Sequence, residues 1–364
     1  MSDGVEHSVE VSTEQAMARL RPWLQDRTAG ASDLRIGQVI EPSQGLSSKT
    51  ILFEASWVTD AQTHSRGLVA RIGRQTACPL LGDIFHQYRV MAAIRAASAA
   101  PVPTLVLAES DAAVLGAPFF LMDQVKGRVP GDFPSYHQQG WFAEALSPAQ
   151  RELAWWNGVK AMAQVHRAGW QPFGFLAPHG AAALTEPPTA GDYLEHFIAA
   201  WFTWAAEGQS YPLLEAAIRH LSETQPASED QQAGLVWNDA RMGNTMFGPD
   251  LQVAALFDFE VASLGPPEID LAWWLYAEDI FSLQFGHPRL AGIPSRAEAI
   301  RGFEQLYGRA MPHFEYFEAI AALKHAVISI RDYRNSKKIK KPDALPNFAT
   351  GRLAAYLQAQ GVWP

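Results

Sequence analysis

The sequence predicts an α+β protein of two lobes, a small sheet-rich one followed by a larger helical one. Three observations carry this reading. At 364 residues the chain exceeds what one compact core usually holds. Short runs of β character cluster between Leu34 and Met122. Beyond Gly127 apolar residues recur at helical spacing, broken once by a β-rich island from Leu235 to Phe259.

The elements follow in order. Thr13 to Gln25 carries Ala16, Leu20, Trp23 and Leu24 at helical spacing, so residues 1–33 read as a helical extension. The runs IGQVI, KTILFEASWV, GLVARI and PFFLM predict strands, with one helix from about Leu81 to Ala100 that stops before Pro101 and Pro103. These make residues 34–125 the first lobe. In residues 126–364, the second lobe, helices are predicted at Pro148–Ala168, Ala190–Glu207, Pro212–Thr224, Ser295–Tyr307, His313–Tyr333 and Asn347–Gln360. Gly131 to Gly140 is polar and turn-rich and reads as a mobile loop.

Composition narrows the class. Hydrophobic residues are 48% and charged ones 18% of the chain, enough apolar surface for a substantial core. A net charge of −9 argues against a general nucleic-acid binder, which needs a basic face. The lysines at 337, 338, 340 and 341 are a local exception and fit a solvated loop. Cys78 is the only cysteine, so neither an internal disulfide nor a thiolate zinc site is expected. With no signal-like start and no apolar run of bilayer length, the expectation is a cytoplasmic protein without membrane partners, a monomer or homodimer.

The island reads LVWNDARMGNTMFGPDLQVAALFDFE. A strand, a polar loop and a tight hairpin turning at Gly248-Pro249-Asp250 are its simplest structure. The hairpin returns Asp258 to the loop that carries Asp239 and Asn244. One carboxylate can orient a hydroxyl and take its proton, while an amide oxygen and a second carboxylate suit magnesium. The Asp-x-x-x-x-Asn step followed by Asp-Phe parallels the catalytic and magnesium loops of protein kinases. A metal-assisted hydrolase could use the same residue types, but the His ligands usual there do not lie nearby.

In the first lobe, Gly45-Leu46-Ser47-Ser48 precedes KTILFEA as a flap between strands would, with backbone N–H groups and small hydroxyls to cover phosphates. The neighbouring SSKT lacks the glycine spacing of a P-loop. Arg71, ending the run LVAR, is a candidate cation for the α- and β-phosphates. The tryptophans, Trp155, Trp156, Trp201, Trp204, Trp273 and Trp274 among them, fit helix packing, with one or two at a substrate. His166 fits a structural role.

Six segments in order, GLSSKT, LVAR, APVPTLVLAESDAAVLGAPFFLMDQVKG, MAQVHRAGW, NDARMGNTMFGPD and FDFEVASLGPPEIDLAWW, resemble the aminoglycoside phosphotransferase and choline kinase-like family. The nearest branch is the kinase-like domain fused to acyl-CoA dehydrogenases in some proteins. The resemblance implies a two-lobed, protein-kinase-like fold with ATP in the cleft and a small hydroxylated substrate as phosphate acceptor. It implies Asp239 as catalytic base, Asn244 and Asp258 as Mg2+ ligands, and Arg71 as the phosphate-contacting cation. Met122, Asp123, Gln124 and Val125 stand at the hinge whose backbone bonds the adenine. Asp270 stands where a buried acid braces the catalytic loop. Trp237-Asn238 replaces the usual His-Gly before the base, so Trp237 is expected to brace the loop by packing. Gln87 stands where the family has a Glu to pair the phosphate-binding cation. These two changes leave a nucleotide-binding pseudokinase as one alternative; an antibiotic phosphotransferase with an acidic cleft is another.

Overall fold

Three long runs in which β-branched residues recur build most of the first sheet. The computed structural model describes residues 12–42, 48–73, 82–177, 184–228, 232–335 and 347–364. Gly45, Ser47, Cys78 and the lysines at 337–341 lie outside the described residues. β1 (Ser32–Ile40), β2 (Lys49–Thr59) and β3 (Gln62–Ile72) form an antiparallel meander, completed by β4 (Leu105–Glu109) and β5 (Phe119–Asp123) in the order β1-β2-β3-β5-β4. Register between β2 and β3 runs unbroken from Lys49 opposite Ile72 to Thr59 opposite Gln62.

α1 (Thr13–Arg27) starts at a Ser12–Gln15 capping box and places Ala16, Leu20, Trp23 and Leu24 in one core with Ile51, Phe53, Ala70 and Phe119. α2 (Ile84–Ala97) and α3 (Ala112–Leu115) follow. The described residues of Met1–Ala77, Gly82–Arg89 and Pro103–Val125 form one compact unit; those of Cys78–Leu81, Val90–Val102 and Lys126–Pro364 form another. β4 has no sequence signature because none of LVLAE is fully buried and no alternation marks it.

The second unit contains α4 (Trp141–Glu144), α5 (Pro148–His166), α6 (Ala190–Tyr193), α7 (Ala200–Ala206), α8 (Pro212–Glu223), α9 (Glu268–Ile280), α10 (Arg296–Tyr307), α11 (Phe314–Asn335) and α12 (Asn347–Ala359). A π-helical stretch, Leu194–Ala199, separates α6 from α7, so the single helix expected over Ala190–Glu207 is interrupted. The island comprises β6 (Gly234–Val236), β7 (Thr245–Phe247), β8 (Val253–Leu256) and β9 (Ser263–Gly265). β7 pairs with β8 as the predicted hairpin, and β9 returns to pair with β6.

α9 was not among the predicted helices, and its burial explains why. Every residue from Glu268 to Asp279 is buried, so no polar face marks a helical period. The loop expected to be mobile, Gly131–Gly140, is instead pinned. Ser135, Tyr136 and His137 are buried, Ser135 Oγ donates to Phe281 O, and His137 Nε2 meets Glu278 Oε2 at 2.8 Å. Among the described residues no helix is long and apolar enough to cross a membrane.

Candidate active site

β6 ends at Val236, and a buried acid on α9 sets the course of the chain beyond it. Asp270 accepts from the backbone N–H groups of Trp237 (2.6 Å) and Asn238 (2.8 Å), while His166 Nε2 lies 2.9 Å from its Oδ2. All four side chains are fully buried, and His166 makes the buried polar contact expected of a structural histidine. The Trp237 ring stacks on Phe259 with centroids 5.2 Å apart, and its Nε1 donates to Phe257 O and Asp258 O. The indole ties the loop to the end of the hairpin by packing and by hydrogen bonding.

Asn238 adopts φ 69°, a left-handed conformation that Asn tolerates better than most residues. Its side chain is fully engaged: Nδ2 donates to Val261 O and Ser263 Oγ, and Oδ1 accepts from Tyr193 OH at 2.7 Å. Buried Lys324, on α11, donates to its carbonyl.

Asp239 follows directly and is about one quarter exposed. Asn244 Nδ2 donates to Asp239 Oδ2 (2.6 Å) and to Asp239 O (2.9 Å), closing the loop on itself. Arg241 Nε lies 3.0 Å from both Asp239 oxygens, and its Nη1 reaches Asp132 Oδ2 at 2.5 Å. Trp273 Nε1 donates to Asp239 Oδ1 at 3.3 Å. Burial works against the Arg241 charge, yet Asp239 and Asp132 together raise its pKa. Burial raises the carboxyl of Asp132 above its usual range, although Arg241 opposes this.

The hairpin places Asp258 as expected. Phe257 N donates to Asn244 O at 3.0 Å, and Thr245 faces Leu256, so Asn244 and Asp258 flank the open end of β7 and β8. Asp258 has φ 63°, a conformation uncommon for a non-glycine residue and concentrated at functional sites. The donor set fits magnesium. Asp258 offers hard carboxylate oxygens, and because the Asn244 nitrogen is committed to Asp239, its Oδ1 remains as the acceptor.

The first-unit residues are described within that unit. Ser48 is buried at the start of β2. Arg71 Nη1 donates to Thr50 Oγ1 at 2.8 Å across the β2–β3 ladder. Met122 pairs with Val69, and Asp123 forms an ion pair with Arg66 at 2.6 Å. The N–H groups of Asp123 and Gln124 donate to Thr104 O and Gly67 O. Val125 closes the segment.

Sequence reasoning missed Asp132, Arg241 and Lys324. Asp132 and Lys324 lie 109 and 86 residues from their partners, beyond the reach of local pattern. A lysine inside the mostly apolar run AIAALKHAVISI was the one available signal. Trp273 was noticed only as one of many tryptophans.

The chain matches the phosphotransferase enzyme family over residues 43–316 and belongs to it. A solved candidate aminoglycoside phosphotransferase from Ralstonia eutropha superposes with TM-score 0.67 at 24% identity, covering 93% of this chain and 95% of that one. A choline/ethanolamine kinase family protein from Mesorhizobium loti gives 0.52 at 11%, covering 94% of each chain. These likenesses show the kinase-like fold. Among curated relatives, acyl-CoA dehydrogenase family member 11 of Homo sapiens is 28% identical over 246 residues, 63% of this chain and 28% of that protein. Family member 10 of Mus musculus is 29% identical over 201 residues, 54% of this chain and 17% of that protein. This chain therefore spans less than a third of the length of either relative.

Proposed function

We propose that the protein transfers the γ-phosphoryl group of ATP to a hydroxyl of a small molecule, with magnesium required. The observation that carries this is the closed Asp239–Asn244 loop with Asp258 returned beside it by the β7–β8 hairpin. Asp239 orients the acceptor hydroxyl and accepts its proton as the oxygen bonds to phosphorus and ADP departs. Asn244 Oδ1 and the Asp258 carboxylate hold magnesium, which supplies charge neutralisation on the phosphates when bound. Arg71 and the segment from Gly45 through Ser47 to Ser48 contribute to phosphate binding, and the backbone at Met122–Val125 to the adenine. An ATP-analogue complex of a structural neighbour, an aminoglycoside phosphotransferase bound to AMP-PNP and hygromycin B, supports ATP as donor.

For the acceptor, a lipophilic alcohol or hydroxyacyl compound is favoured over a polycationic antibiotic. Arg241 lies over the Phe281 ring, 5.7 Å from its centroid, and Phe281 meets Phe133, which meets Phe285. Phe133 is 65% exposed and Phe285 45%, so an apolar surface begins one residue away from Asp239's partner. The acyl-CoA dehydrogenase names of the curated relatives point the same way.

The test is ADP release by purified protein with Mg·ATP against hydroxyacyl compounds, lipophilic and choline-like alcohols, aminoglycosides and macrolides. Asp239→Ala should lower turnover on the accepted substrate by about 10²–10⁴-fold while nucleotide affinity holds. Full turnover in that variant removes Asp239 from the chemistry. Thermal stabilisation by Mg·ATP without ADP release for any acceptor would favour the pseudokinase alternative.

A further inference from the structure

Lys324 is 2% exposed, in the middle of α11, where an apolar side chain of its length would bury at far lower cost. Among the described residues its ammonium makes two direct contacts. It donates to the carbonyl of Asn238, and it lies 4.0 Å from the centroid of the Trp273 ring. Both neighbours act on Asp239. Asn238 precedes it and holds a left-handed conformation in which its side-chain and backbone polar groups are all engaged. Trp273 donates its indole N–H to Asp239 Oδ1.

We infer that Lys324 is a positioning residue for Asp239, holding the main chain on one side of the base and strengthening the indole donor on the other. This rests on the assignment of Asp239 as the base. A cation over the π face draws electron density from the indole, which makes its N–H a better donor to a carboxylate. One buried charge thereby fixes both the position of Asp239 and the hydrogen bond on its oxygen. A neutral side chain of equal volume would fill the space and lose both effects.

The surrounding charges give the device a pH limit. Burial lowers the Lys324 pKa to about 8; Asp239 and Asp270 favour the ammonium, and Arg241 opposes it. The cation–π contact is therefore present below that pH and lost as pH rises through it.

The test uses the full chain and two readouts. The ¹⁵N–¹H resonance of the Trp273 indole, assigned by its absence in Trp273→Phe, should titrate with a midpoint near 8. It should be displaced and stop titrating in Lys324→Met. With Mg·ATP and water, or the accepted alcohol, as acceptor, Lys324→Met should lower kcat at least about 30-fold, with nucleotide KM within about twofold, as for a base displaced by a fraction of an ångström. Lys324→Arg, which keeps the charge, should recover part of kcat and lose the titration near 8. An indole resonance unchanged in Lys324→Met, or a kcat loss matched by the unfolded fraction, overturns the inference. If Lys324→Met does not fold, a wild-type indole resonance that does not move anywhere in the pH range over which the protein stays folded overturns it equally. Were the wild type to bind no Mg·ATP and release no ADP, the phosphotransfer reading would fail. The indole resonance would still decide whether Lys324 governs the surroundings of Asp239.

Discussion

The five-stranded sheet and the β island at 234–265 are held together by different forces. β2 and β3 pair over eleven residues each, and their register is set by the apolar pattern along both strands and the short turn that joins them, so it does not rest on any one side chain. The island's strands are three or four residues long, too short to be stable as isolated pairs. Its shape comes from buried polar side chains brought in by distant helices: Asp270 from α9, Tyr193 from α6 and Lys324 from α11. Short strands leave the loop ends, where Asp239, Asn244 and Asp258 sit, free of the straight course a long ladder imposes. The consequence is that few residues determine the site geometry and each is costly to lose.

The largest stability effect is therefore expected at Asp270. Asp270→Ala leaves the Trp237 and Asn238 N–H groups and His166 without their shared acceptor, all in a dry interior. A loss of about 3–5 kcal/mol follows from stranding several buried partners at once. Urea unfolding with unchanged m-value measures it. A loss below about 1 kcal/mol would mean that the backbone ladder, and not the acid, shapes the loop.

The same contrast explains what the sequence revealed. The sheet was legible because KTILFEASWV and GLVARI are short runs rich in β-branched and aromatic residues, which is a local signal. The juxtaposition of Asp239, Asn244 and Asp258 was legible because the hairpin turn at Gly248-Pro249-Asp250 and the five-residue step from Asp239 to Asn244 are also local. α9 was not, since burial on all sides erases the period. The Gly131–Gly140 loop was misread because its anchors, Phe281 and Glu278, lie more than 140 residues further along the chain. Asp132 and Lys324 reach the site only through the fold.

A middle-sized effect is expected at Gly243. A Cβ there would collide with Arg241 Nη1 and Asp132 Oδ1, the two ends of the ion pair beside Asp239. Gly243→Ala should cost about 1–2 kcal/mol, because both side chains can move but only by giving up their contact. ADP release should fall more than this suggests, since Arg241 moves away from the Asp239 carboxylate. Thermal melting and turnover, compared in one variant, separate the two effects. Equal turnover with lowered stability would show that the Arg241–Asp132 pair serves packing alone.

The smallest effect belongs to the sheet. Ile51, on β2, is fully buried against the α1 face and pairs in register with Ala70. Ile51→Val removes one methylene and should cost about 0.5–1.5 kcal/mol. Turnover should stay within about twofold of wild type, because a register set by eleven consecutive pairs does not depend on one methylene. A large loss of turnover with a small loss of stability would show that the sheet transmits packing changes to the chemistry as sharply as the island does. The distinction between ladder-held and side-chain-held geometry would then fail for this fold.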